Sequence, residues 1–299
     1  MLYQLSYRGA GFPLRRDAAS IKSRDTRGLP RRCPVATPSG ISAKRIPALR
    51  VVFHLGVHQT DEDRLVRSVL KNRGVLALEQ ISVPGPGRYR IVLRDVVNRL
   101  RGEPATAEAE ELLIEAIADT DAPRALFLSN ASFLCLPERA LDDGRLYARA
   151  FKAAWLRQLF PRHDCAFAIG LRDPASFVPA LFAARKTKDL DFEDYMTGVD
   201  PLALRWSDMI ATIRDHCPDA EIIAWCNEDT PLLWGAIMQA VTGAAPDTAL
   251  DGMLDIALRI VSSDGAAAIA DHFGRPPHFD GPEFRRALAR LIETHGQAH

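Results

Sequence analysis

Residues 53–63, "FHLGVHQTDED", place two histidines, a threonine and three consecutive acids in one turn-sized stretch. The run before them, "LRVVFHLG", is apolar, and "RLVRSVL" after them has helical spacing. Strand, glycine turn and helix is the layout of a loop whose backbone amides hold a phosphate at a helix N-terminus. Such a loop also needs glycine, hydroxyls and a cation, yet this one carries Asp61, Glu62 and Asp63. Two kinds of chemistry follow. His58 at the turn is a candidate base. The acids are candidates for capping their own helix, since carboxylates in a first turn stabilise its positive end and accept from orphan N–H groups. Consecutive acids cannot all point at one ion. His54 and His58 lie on strand then turn rather than on one helix face, so no metal site is expected.

Three more segments carry polar residues at the ends of apolar runs: Ser129-Asn130 after "RALFL", Arg172-Asp173 after "CAFAIGL", and Asn227, Glu228 and Asp229 after "EIIAWC". Glu228 is a candidate general base for an acceptor hydroxyl. Asp229 reads as the N-cap of a helix with Pro231 in its first turn, closing at Gly243. Ser129 lacks the G-x-S-x-G surroundings of a hydrolase nucleophile.

Runs apolar on both faces, separated by helical patterns, imply an α/β fold: a three-layer sandwich with a central parallel sheet covered by helices. In such sheets ligands sit beyond the carboxyl ends of the strands. His58–Asp63, Ser129-Asn130, Arg172-Asp173 and Asn227–Asp229 should therefore share one edge. The expected helices cover about 62–73, 91–101, a Thr106-capped segment, a long amphipathic helix over 141–160 ending at Pro161, and a segment after Asp173. Two more are expected through "PLALRWSDMIATIRDHC" and over 282–294, and the chain from about 250 is mostly helical. Trp155, Trp206, Trp225 and Trp234 fall at core-facing positions, and Cys165 and Cys226 in buried strands.

The chain has 299 residues, 47% apolar and 25% charged, enough for a sizeable core, with a formal net charge of zero. The charge is unevenly spread: residues 1–50 hold 11 Lys and Arg against only Asp17 and Asp25. Residues 1–48 read as a basic disordered extension, or as residues upstream of the true start, and 49–299 as the folded domain. The acidic body argues against nucleic acid as main partner. Five cysteines without a C-x-x-C pair suit reduced thiols in a cytoplasmic protein. No apolar run approaches the roughly 18–20 residues of a membrane span.

"FHLGVHQT" resembles the opening of bacterial members of the P-loop sulfotransferase superfamily, which read H-[IL]-G-x-H-K-T-G-T-T. "FAIGLRDPASFVPALF" is similar to the family's second signature, and "WCNEDTPLLW" to a segment of some bacterial members; the likeness covers about 50–245. The resemblance implies a P-loop NTPase/sulfotransferase-like sheet. It also implies sulfuryl transfer from 3′-phosphoadenosine 5′-phosphosulfate to a hydroxyl or amine of an acceptor, small molecule or protein, that the sequence does not name.

His54, Gly56, His58 and Thr60 match the motif. The family's lysine falls on Gln59, its glycine on Asp61 and its two hydroxyl residues on Glu62 and Asp63. Two like charges ~4 Å apart cost about 4 kcal/mol at an effective dielectric near 20. A helix N-terminus returns only about 0.3–2 kcal/mol. The resemblance places the 3′-phosphate on Arg172 and on a serine eight residues later, where this chain has Ala180; Ser176 is half a helical turn out of phase, and Arg172 is expected on Asp173 or on an acid of the first loop. Under the resemblance the degenerate donor positions are Gly56, His58, Gln59, Thr60, Arg64 and Arg172, with His58 and Glu228 catalytic only if the chain is active. The expectation is a sulfotransferase-like binding module that requires no cofactor. The alternative is an active sulfotransferase using that donor with Arg64 or Arg172 in place of the lost lysine.

Overall fold

The computed structural model describes residues 3–5, 49–185, 190–274 and 281–296. Among the described residues there are eight strands: β1 (Tyr3–Leu5), β2 (Arg50–His54), β3 (Ile81–Ser82), β4 (Ala125–Ser129), β5 (Leu141–Asp142), β6 (Arg145–Leu146), β7 (Asp164–Leu171) and β8 (Glu221–Cys226). The helices are α1 (Arg64–Lys71), α2 (Arg73–Leu78), α3 (Pro86–Leu100), α4 (Ala107–Ile117), α5 (Ala153–Arg157), α6 (Pro174–Ala183), α7 (Phe192–Tyr195), α8 (Trp206–His216), α9 (Thr230–Thr242), α10 (Ser263–Phe273) and α11 (Pro282–His295).

The main sheet runs β1-β8-β7-β2-β4-β3, with every pair parallel except β1 against β8. Both faces are covered, which is why the strands are apolar throughout. Val51 and Phe53 of β2, with Leu126, Leu128, Phe167 and Ile169, pack against α3, α4, α5, α6 and α8. Val52, with Phe127, Ala168, Ile223 and Trp225, packs on the opposite face against α1, α2 and α9. The three-layer α/β arrangement is thus as expected. The C-terminal helices α10 and α11 form a smaller cluster around Ala257, Val261, Ile269 and Leu288.

Strand order reverses at β2. The chain goes one way to β4 and β3, and the other to β7 and β8. Open α/β sheets form a crevice at that switch point, beyond the carboxyl ends of the strands. The loop after His54 sits there.

Four expectations are corrected. Leu141–Phe160 is not one helix: it opens with the β5–β6 hairpin and becomes helical only over 150–157. Asp143 and Gly144 adopt φ 52° and 67°, the left-handed pair of a type I′ turn, so local turn chemistry overrides the helical spacing. Cys226, at the last position of β8, is exposed. Trp155 is half-buried and belongs to no core cluster, whereas Trp206 packs against the core and Trp225 and Trp234 are buried, as expected. Within the segment read as an unstructured basic extension, Tyr3–Leu5 pairs with Ile222–Ala224; the rest of 1–48, including Cys33, lies outside the described residues. Thr106 caps α4 through Ala109 N–H, and α9 ends at Gly243 with φ 68°, both as expected.

Candidate functional site

β2 ends at His54, whose buried ring lies parallel to Phe127 and Trp225 at centroid distances of 6.3 and 5.8 Å. Its Nδ1 is 2.9 Å from Ser129 Oγ at the end of β4. The chain then turns at Gly56, with φ 52°. A Cβ there would meet the backbone Cα and N of Ala131 at 3.1 Å, so both the conformation and the space demand glycine. Gly56→Ala should lower unfolding free energy by about 1–3 kcal/mol, read as an earlier urea midpoint with an unchanged slope.

His58 is buried rather than presented to solvent. Its amide donates to Tyr147 Oη at 2.8 Å, and its Nε2 lies 3.2 Å from the Cys135 carbonyl. A carbonyl only accepts, so Nε2 carries the proton. The ring is also stacked on Tyr147.

Burial holds the imidazoles of both His54 and His58 below their ordinary value of 6.5, against the opposing pull of Asp61 and Asp63 on His54 and of the Cys135 carbonyl and Glu138 on His58. Folded, these rings bind fewer protons than the unfolded chain below that value. Their contribution to stability is therefore complete above about pH 6.5 and is lost as pH falls toward the folded values. The slope is at most about 1.4 kcal/mol per pH unit for each ring. Urea midpoints should fall between about pH 7.5 and about pH 5.5, with a shallower fall in His54→Phe.

The loop's remaining groups satisfy one another. Gln59, Glu62 and Asp63 take φ of 58°, 48° and 64°, an uncommon conformation for residues other than glycine. Thr60 Oγ1 donates to the Val57 carbonyl, and Asp61 Oδ2 accepts from Leu65 N–H at 3.0 Å. Asp61 alone therefore caps α1. Asp63 stands at the N-cap position without a side-chain cap bond, which corrects the picture of three acids capping together. Its carboxylate is gripped at both oxygens by Arg90, at 2.6 and 3.1 Å, and the Arg90 guanidinium holds the carboxyl below its usual range. Arg90 Nε also donates to the Ser129 carbonyl, which accepts from the Tyr89 hydroxyl as well. Glu62 Oε2 approaches Arg64 at 3.8 Å.

Arg172 Nη1 donates to the Gln59 carbonyl at 2.7 Å and its Nε to Ser176 Oγ at 3.0 Å. The expectation that it pairs with a carboxylate is corrected, and Ser176, read as out of phase, is its hydroxyl partner. The Ser176 hydroxyl in turn donates to the carbonyl of Asp173, the N-cap of α6, at 3.1 Å. Ala180 lies in the second half of α6. Trp206 Nε1 donates to the Arg172 carbonyl at 2.6 Å, fixing the strand exit.

Glu228 Oε1 accepts from Asp173 N–H at 2.9 Å, tying the β7 and β8 exits together. Asp229 occupies the N-cap position of α9 without a side-chain cap bond. A cleft of about 210 Å³ opens between Thr60 and Asp61 of the loop, Arg64 at the start of α1, Glu228 of the β8–α9 connection, and Thr230 and Trp234 of α9. The four strand exits thus do converge. His58, however, does not line this cleft, so the two candidate bases are not brought together. Arg90, Tyr89 and Tyr147 were missed from the sequence, because each reaches the loop from a distant segment with no motif around it. No group of three or more metal-ligating side chains occurs among the described residues. No helix among them is long and apolar enough to cross a membrane.

No family model matches the chain. No curated protein matches it either. Among solved structures it is similar to a crystal structure of a sulfotransferase from Alicyclobacillus acidocaldarius, at 12% identity and a TM-score of 0.35, covering 81% of this chain and 94% of that one.

Proposed function

We propose that the chain is a sulfotransferase-like domain that has given up 3′-phosphoadenosine 5′-phosphosulfate and acts by binding at its strand-exit edge. The reading rests on the sequence resemblance, and one observation carries it. The groups that an anionic donor would need are engaged within the protein: Arg90 on Asp63, Leu65 N–H on Asp61, and Arg172 on Gln59 and Ser176. A phosphosulfate would have to displace carboxylates that are already neutralised and hydrogen-bonded, with no lysine to compensate. The residues present do not fit that donor.

Titration calorimetry with 3′-phosphoadenosine 5′-phosphate should show no saturable heat up to ~1 mM, a binding free energy weaker than about −4 kcal/mol. Micromolar binding overturns the reading. A second reading, an active enzyme with an atypical donor site, draws on Arg64 and Glu228 lining one cleft. Sulfuryl transfer that is lost in Glu228→Gln would establish it.

A further inference from the structure

α3 and α4 lie side by side and antiparallel. Arg88, in the first turn of α3, donates through Nε to the carbonyl of Ala116, in the last turn of α4, at 3.0 Å. Both helices bury one side in the same core, α3 through Tyr89 and Leu93, α4 through Leu113 and Ile117. On their outer side three aliphatic side chains meet solvent: Ile91 is 59% exposed, Val92 37% and Leu112 59%. Val92 is one turn past Arg88 and Leu112 one turn short of Ala116, so antiparallel packing sets these two next to each other. Single exposed aliphatics are ordinary, but three together across two helices form a patch, and patches mark association surfaces.

Charge says what fits this one. Arg88, Val92 and Arg99 fall on one face of α3, and Glu108, Leu112 and Glu115 on one face of α4. Each row is apolar at its centre, with basic flanks on α3 and acidic flanks on α4. Asp95, beside the first row, is offset by Arg94 at 3.2 Å, and Glu111 of α4 by Arg162 at 2.9 Å. Arg88, Arg99, Glu108 and Glu115 are all exposed and form no ion pair with any described residue. A face with a basic half and an acidic half around an apolar centre is complementary to itself.

We propose that this face joins two copies of the chain in a symmetric dimer, its twofold axis parallel to the two helices. α3 of each copy then lies on α4 of the other, with Arg88 toward Glu115 and Arg99 toward Glu108. An axis at right angles would set α3 on α3 and arginine on arginine, which charge disfavours. The apolar centre is small, so the dimer dissociates on dilution.

Sedimentation velocity of the full-length chain, between about 1 and about 300 μM, should show a reversible shift from monomer to dimer. Leu112→Glu, at an exposed position, should weaken the dimer at least about tenfold. Arg88→Glu/Arg99→Glu and Glu108→Lys/Glu115→Lys should each stay monomeric, since like charges then meet at both ends. Mixed in equal amounts, those two variants should pair with each other, because every contact again sets opposite charges together. A misfolded chain does not recover on mixing, so this arm separates charge from damage to the Arg88–Ala116 contact. A natural chain that stays monomeric throughout overturns the proposal and leaves the face to a different protein. A dimer indifferent to Leu112→Glu overturns it too, as do reversed variants that fail to pair while circular dichroism shows both folded.

Discussion

The variant Gln59→Lys/Asp61→Gly/Glu62→Thr/Asp63→Thr, which rebuilds the resembled motif, should be less stable than the natural chain by about 3–6 kcal/mol. Glu62 and Asp63 sit at φ 48° and 64°. A β-branched residue is a genuine outlier there, so each threonine is strained. The same change removes the Asp61 cap and the Asp63 grip on Arg90. A cap alone contributes roughly 1 kcal/mol. With glycine at 62 and 63 instead, the backbone strain disappears, and urea denaturation should recover at least about 2 kcal/mol of the loss.

The glycine version should also bind 3′-phosphoadenosine 5′-phosphate at least about a hundredfold more tightly than the natural chain, because three carboxylates leave and a lysine arrives. Arg90, released from Asp63, adds a second cation beside the loop. Equal stability of the threonine and glycine versions would show that the loop had left the left-handed path. No gain in affinity would show that the acids are not what excludes the nucleotide.

Phe53→Ala should cost about 3–5 kcal/mol, a large part of the roughly 5–15 kcal/mol that holds a typical domain together. Phe53 is fully buried in the middle of the sheet. Its ring meets Phe133 edge-on at 5.6 Å, stacks on Phe167 at 6.0 Å and tilts against Phe160 at 6.0 Å. Phe133 follows the β4 exit, so the cavity opens directly beneath the site. The urea midpoint should fall sharply in Phe53→Ala and less in Phe53→Leu, which keeps more of the volume. A cost under about 1 kcal/mol for the alanine would mean that the neighbouring rings collapse into the space.

The sheet was legible because its central strands are buried on both faces, and continuous apolar runs such as "RVVFH" and "CAFAIGL" reflect that directly. The convergence of the four strand exits followed from the parallel arrangement alone. Local signals failed where two of them competed. Residues 141–160 have helical spacing, yet Asp143-Gly144 fixes a hairpin in their first turn. Cys226 belongs to an apolar run but falls at the last position of β8, where cover ends. At the site, the types of the loop residues were readable and their partners were not. Arg90 lies 27 positions from Asp63 and Arg172 113 from Gln59, separations that no periodicity spans. Trp234 has the spacing of a core residue and is one.

The two borders of the main sheet are its shortest members, three residues in β1 and two in β3. The long apolar strands β2, β4, β7 and β8 all have neighbours on both sides. Among the described residues the long apolar ribbons are thus kept in the interior of the sheet, and its short bordering strands offer passing chains little continuous main-chain template to zip onto.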